Sequence, residues 1–145
     1  MIIKEYLDDN LEDLTLLMNQ WFEDKKYTQC EIADSISIMR QKSENKVFVA
    51  ENEEGRVVGY IMTGICYYLG SNPFVEVIQL LVDKDNRSRG IGESLIKYIE
   101  EYYKEEGIKE IKLHSMVHRV RAHEFYKRYG FSEFKQSKFF EKRII

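Results

Sequence analysis

The chain has 145 residues, enough for one domain and short for two, so it is read as a single domain over residues 1–145. Apolar residues make up 43% and aromatic residues 13%, which excludes a disordered chain, because aromatic-poor sequences are the ones that bury too little surface to fold. With 22 basic and 25 acidic residues the formal charge is −3, and so balanced a surface has no general pull toward nucleic acid or an anionic membrane.

In chain order, Met1-Ile2-Ile3-Lys4-Glu5 lacks the basic and long apolar regions of a signal peptide, and residues 1–6 read as a strand. Residues 10–24 place Leu11, Leu14, Leu17, Met18 and Trp21 three or four apart, the period of an amphipathic helix. Residues 30–42 repeat it with Ile32, Ile36 and Met39. Residues 46–51 and 56–67, rich in Val, Ile and Tyr around Asn52-Glu53-Glu54-Gly55, read as a hairpin. Residues 74–82, Phe-Val-Glu-Val-Ile-Gln-Leu-Leu-Val, form a nearly continuous apolar run, which suggests a central strand covered on both faces. A helix follows from about 90 to 106, with Ile91, Leu95, Ile96, Ile99 and Tyr103 on one side and Gly107 as its stop. Residues 109–115 are a strand, and residues 119–129 a helix stopped by Gly130. Two short strands complete the order β-α-α-β-β-β-α-β-α-β-β. This is an α/β (α+β) arrangement with a mixed central sheet of about seven strands and four helices, in which residues 74–115 form one βαβ unit.

No stretch approaches ~18 apolar residues, so no membrane-crossing helix is expected. Cys30 and Cys66 are far apart and in no CxxC pattern, which argues against a disulfide framework and a thiolate zinc site. Each reads as a buried small hydrophobe, in keeping with a reducing, cytoplasmic compartment. His114 and His118 straddle a strand end rather than sharing a helix face, so no metal is expected.

Chemistry first shows where the strand ending at Val82 passes through Arg87-Ser88-Arg89-Gly90-Ile91-Gly92 into a helix. The first amides of a helix lack internal partners, and the helix dipole adds partial positive charge. Together they make an anion site suited to phosphate. Gly90 and Gly92 let an anion approach the backbone, and Arg87 and Arg89 supply formal charge. The Walker pattern is absent, and the dinucleotide pattern fails because Leu95 holds its third glycine position. The pattern present is R-x-x-G-x-G, which alone also fits a plain strand-to-helix turn with solvated arginines.

A second segment, Leu113 to Phe131, contains A-x-x-F-Y-x-x-x-G-F, with Ala122, Phe125, Tyr126, Gly130 and Phe131 in place. The two linked segments resemble the GNAT N-acetyltransferases: the first is similar to their pyrophosphate motif, the second to their tyrosine-bearing helix. The resemblance implies the GNAT fold, acetyl-CoA as cosubstrate and an amine of a small molecule or peptide as acceptor. It implies that the strands at 74–82 and 109–115 splay apart. Pantetheine would then pair with backbone near Leu80, Leu81 and Val82, and pyrophosphate would rest on the amides from Arg87, Ser88, Arg89, Gly90, Ile91 and Gly92 to Glu93. The oxyanion would be held by an N–H near Val82. Arg119 stands where many members carry Asn, a departure that leaves that contact unassigned.

By the same resemblance Tyr126 is the general acid; on its own it also fits simple packing on an apolar helix face. Glu76, the one charged side chain in its strand, matches a strand glutamate of histone-type members. It is either a general base or a carboxylate that binds the cationic amine. Trp21, Phe22, Tyr27, Tyr67 and Tyr68, with Glu23 and Asp24, could frame an acceptor or be core and rim. Edge strands near the C-terminus offer a route to a homodimer. The rival reading is a non-catalytic acetyl-CoA-binding sensor or interaction module.

Overall fold

The computed structural model describes residues 1–145, which divide into two compact units, Met1–His114 and Ser115–Ile145. The first unit is built on a five-stranded sheet in the order β1-β2-β3-β4-β5. The strands are β1 (Ile2–Glu5), β2 (Lys46–Glu51), β3 (Val57–Cys66), β4 (Phe74–Val82) and β5 (Ile111–Leu113). Neighbours are antiparallel except β4 and β5, which run parallel across the helical crossover and form the expected βαβ unit. The β2–β3 turn is pinned by Asn52, whose Oδ1 accepts from the amides of Glu54 (3.0 Å) and Arg56 (2.9 Å).

Alternation along the strands sends side chains to two layers. Val47, Val49, Tyr60 and Leu81 join Leu14 and Leu17 of α1 (Leu11–Met18) and Ile32 and Ile36 of α2 (Gln29–Lys42). Phe48 turns the other way, with its ring 5.3 Å from that of Tyr98 and 5.1 Å from that of Tyr102 on α3 (Ile91–Glu105). Leu95, Ile96 and Ile99 of α3 are at most 1% exposed. Each such burial is worth about 1.5–3 kcal/mol. Gly59 lets α3 come close to β3: a Cβ there would stand 3.0 Å from Cγ2 of Ile91 and 3.3 Å from Cδ1 of Leu95.

Four expectations change. Helix α1 stops at Met18 rather than near residue 24, because Asn19 bonds the returning chain: its Oδ1 accepts from the Tyr27 amide (2.6 Å) and its Nδ2 donates to the Tyr27 carbonyl (3.1 Å). Trp21 then leaves the helix and donates from Nε1 to the Tyr60 hydroxyl at 2.6 Å. The sheet has five strands, not about seven: residues 131–145 form no strand. That stretch does not alternate, and Phe139, Phe140, Ile144 and Ile145 are exposed. With it go the C-terminal edge strands on which the expected route to a homodimer relied. Cys30 is exposed, lying off the Ile32–Ile36 face, and Cys66 is only half-buried, so neither is a buried hydrophobe. Finally, both-sided cover of β4 holds at Phe74, Val75 and Val77, whereas Ile78 is exposed.

In the second unit, α4 (Val120–Arg128) ends at Gly130, which takes φ 91°. The Gly130 amide donates to the Lys127 carbonyl (3.2 Å) and the Phe131 amide to the Tyr126 carbonyl (3.0 Å). This is a Schellman cap, whose usual apolar contact is here the Phe131 ring, 5.8 Å from that of Tyr126.

Candidate active site

Strand β4 contains the irregularity that opens the sheet. Its pairing with β3 runs Thr63 with Val77 and then Met62 with Gln79, which leaves Ile78 as an extra residue, a β-bulge. On its other side β4 pairs with β5 only at Val75, Glu76 and Val77. Beyond the bulge β5 has ended. The Asp83 amide donates to the Val58 carbonyl (2.9 Å), so by alternation Leu81 also faces β3. The backbone groups of Leu80 and Val82 therefore point away from β3, into the side that β5 leaves open. The Val82 carbonyl accepts from Nε of Arg87 at 3.3 Å.

The chain next enters a 3-10 turn at Lys84–Asn86. Gln20 holds it from the α1 side: Nε2 donates to Oδ1 of Asp83 (2.7 Å), and Oε1 accepts from the Lys84 amide (3.0 Å). Asn86 donates to Oδ2 of Asp83 at 2.5 Å. Burial works to raise the Asp83 carboxyl, but the hydrogen bonds from Gln20 and Asn86, with the Asp85 backbone amide and the Lys84 charge, together outweigh it and hold the group below the usual carboxylate range. Ser88 adopts φ 61° and Gly90 φ 77°. Gly90 is the N-cap of α3 and provides no side-chain cap, so the first-turn amides of the helix have no capping side chain. Nothing lies within 4 Å of a Cβ built on Gly90. Arg87, Ser88 and Arg89 are exposed, and Arg89 reaches back to Oδ1 of Asn86 at 3.5 Å. Glu93, in the first turn, is paired through its side chain with Lys97 at 2.6 Å. The structure thus brings Leu80, Leu81, Val82, Arg87, Ser88, Arg89, Gly90, Ile91, Gly92 and Glu93 into one continuous strand, loop and helix start.

Glu76 lies on the β5-paired half of the same strand. Its Oε1 is 3.0 Å from Nδ1 of His114, and its Oε2 is 3.5 Å from Sγ of Cys66. The carboxylate is therefore paired, at 30% side-chain exposure. Sequence reasoning missed both partners; the one signal available was that a lone charge in an apolar strand requires donors. His114 and His118 belong to no cluster of three or more metal-ligating side chains.

Tyr126 lies on α4, held by the Schellman cap and by Phe125, whose ring is 5.5 Å away. Burial raises its phenol, with Arg119 pulling in the opposite direction. Arg119 is the N-cap residue of α4, and Nε2 of His123 donates to the Met116 carbonyl at 2.9 Å. Ser115, at the start of this unit, buries its Oγ with no hydrogen-bond partner. Arg121, Lys127 and Arg128 are exposed, as a solvated helix face would be.

No helix is long and apolar enough to cross a membrane. Among curated proteins, the chain is similar to the uncharacterized N-acetyltransferase MJ1207 of Methanocaldococcus jannaschii, 35% identical over 98 residues, covering 66% of this chain. The chain spans about half the length of the curated relatives it matches, 42% of this one and 54% of a second from the same organism. Among solved structures it shares its fold with the aminoglycoside 6'-N-acetyltransferase AAC(6')-IG of Acinetobacter haemolyticus, at a TM-score of 0.82, 19% identity and 100% cover of both chains. It is likewise similar to AAC(6')-Iy in complex with a bisubstrate analog, CoA-S-monomethyl-acetylneamine, at a TM-score of 0.81 and 22% identity, covering 98% of this chain and 97% of that one. Residues 7–131 match the acetyltransferase (GNAT) family, and the chain, with its half-paired strand leading into a glycine-capped helix, belongs to that family.

Proposed function

We propose that the chain is an acetyl-CoA-dependent N-acetyltransferase that acts on a primary amine of a small molecule or peptide by direct attack in a ternary complex. The observation that carries this reading is the half-open β4 running into the uncapped N-terminus of α3. An unpaired strand edge and an anion site, joined in series, are what an amide-bearing arm ending in a pyrophosphate needs. In support, a neighbour of the same fold was solved with a CoA bisubstrate analog of an aminoglycoside. The chain is read as a single domain over residues 1–145, and its two unbridged cysteines suit a reducing cytoplasm.

Each step falls to particular groups. Leu80 and Val82 offer backbone partners to the pantetheine amides, and the amides of residues 87–93 take the pyrophosphate. The amine attacks the thioester carbonyl, and its oxyanion is stabilised by an N–H near Val82. As the C–S bond breaks, the thiolate takes a proton from Tyr126. Burial keeps this phenol protonated across the neutral range, so the proton is always present to be given. Glu76 meets the acceptor as a carboxylate, holding its ammonium or taking its proton. The acceptors tested first are aminoglycosides and other polyamines, then peptide amines.

The test is acetyl-CoA-dependent thiol release across an amine panel, with Tyr126→Phe beside the parent and Cys30 and Cys66 controlled for reaction with the thiol reagent. Turnover lost in Tyr126→Phe, with acetyl-CoA binding kept in calorimetry, is the expected result. Acetyl-CoA binding without turnover on any amine would turn the reading to a sensor, and no binding would end it.

A further inference from the structure

Neither oxygen of Glu76 is idle. Oε1 is held by His114 at 3.0 Å and Oε2 by Cys66 at 3.5 Å. A carboxylate only accepts, so the imidazole N–H and the thiol S–H donate. The donors come from separate strands: Cys66 closes β3, and His114 follows β5. The β3–β4 and β4–β5 registers place Gly64 and Lys112 on either side of Glu76. One carboxylate is thus fixed from both flanks of its strand.

Burial raises the Cys66 thiol, and Glu76 adds to the rise while Lys112 opposes it, so Cys66 stays an uncharged donor at neutral pH. Lys112 extends its ammonium over the Phe74 ring, 4.3 Å from the centroid. Glu44 is engaged by the Tyr67 hydroxyl at 3.1 Å. Against these, an imidazole is the side-chain type that changes charge between about pH 5 and 8. His114 has the exposure to exchange protons with solvent, at 55% against 30% for Glu76.

We propose that His114 is the positioning residue of Glu76 and sets the charge that Glu76 shows to the acceptor, an inference that rests on the N-acetyltransferase reading above. When neutral, His114 orients the carboxylate and leaves its negative charge for a cationic amine. When protonated, it cancels that charge, and the amine loses its attraction. Cys66 holds the second oxygen at every pH of interest.

Three variants and two readouts test this. In the parent, KM for the amine rises severalfold as the pH is lowered across the range of about 8 to 5 in which an imidazole gains its charge, while KM for acetyl-CoA stays level. His114→Gln keeps a neutral donor, so it restores most of kcat and abolishes the low-pH rise in amine KM. His114→Ala loses both, and kcat falls about tenfold even at high pH. Independently of turnover, the His114 ring protons are followed by NMR, assigned by their loss in His114→Gln. Their chemical shifts at neutral pH move in Glu76→Gln, because the carboxylate that accepts from Nδ1 is gone. Unchanged ring shifts in Glu76→Gln, or a low-pH KM rise that persists in His114→Gln, overturns the proposal. If no amine is acetylated at all, the N-acetyltransferase reading fails, and the NMR comparison still decides whether Glu76 and His114 act as a pair.

Discussion

Gly90 and Gly107 bracket the same helix and make a matched pair of perturbations. Both hold left-handed backbone, at φ 77° and 82°, and a Cβ on either meets nothing within 4 Å. Alanine at each therefore costs the left-handed penalty of about 1–2 kcal/mol and no clash inside the protein. At roughly 2–4 °C per kcal/mol for a chain of this size, both variants should melt about 2–8 °C lower. They part company on ligand. Gly107 is the C′ residue, its amide bonded to Lys104 (3.1 Å) and the next amide to Tyr103 (2.9 Å), at the end remote from the loop. Gly90 caps the end proposed to take the pyrophosphate, where a methyl group would stand in the space such a phosphate needs. Losing one charge-assisted hydrogen bond there is worth about 1.5–3 kcal/mol, which lowers acetyl-CoA affinity about ten- to hundredfold. Calorimetric titration beside thermal melts measures both effects. If Gly90→Ala binds acetyl-CoA as Gly107→Ala does, the helix start is not the pyrophosphate site.

Further outcomes follow from the same coordinates. Thr63 and Tyr103 share a buried hydrogen bond of 2.6 Å, so Thr63→Val should cost about 1–3 kcal/mol by stranding the phenol. Thr63→Val with Tyr103→Phe should recover part of that, and a strictly additive double variant in urea melts would refute the pairing. Glu51 is held below its usual range by the Lys4 ammonium at 2.7 Å; burial opposes this, and the Asn10 amide reinforces it. A lowered carboxyl stabilises above its unfolded pKa and loses that contribution as pH falls through the folded value. The stability gap between the parent and Glu51→Gln should therefore close in acid, and a gap independent of pH would count against the pair. Tyr60 takes the Trp21 N–H and lies 3.1 Å from Oε1 of Gln79, so Tyr60→Phe should destabilise by about 1–3 kcal/mol, read as a lower urea midpoint. An unchanged midpoint would refute it.

The parts of the fold legible in the sequence are those fixed by local periodicity. The apolar spacing of Ile91, Leu95, Ile96, Ile99 and Tyr103 defines both α3 and its buried face. F-Y-x-x-x-G-F is readable because a Schellman cap uses residues only five apart, from Tyr126 to Phe131. Long-range partners decided what was not legible. Helix α1 ends where it does because Asn19 bonds Tyr27, eight residues on, and no period announces that. The bulge at Ile78 exists only in the register with β3. Glu76 stood out as a lone charge, but its donors lie ten residues before it and 38 after. The two short C-terminal strands of the sequence reading do not form, since a strand needs a neighbour as well as apolar residues.

The bulge gives β4 two different kinds of sensitivity to change. Up to Val77 the strand is bonded on both sides and belongs to the body of the sheet; from Gln79 onward one side is committed and the other is open. Inherited variation should sort accordingly. Substitutions at 74–77 should register in how much protein accumulates, and, on the proposed function, those at 79–82 in how well the accumulated protein holds acetyl-CoA. A one-residue deletion at Ile78 would make the pairing with β3 continuous, with Val77 still opposite Thr63 and Gln79 opposite Met62, and so remove the irregularity that separates the two halves.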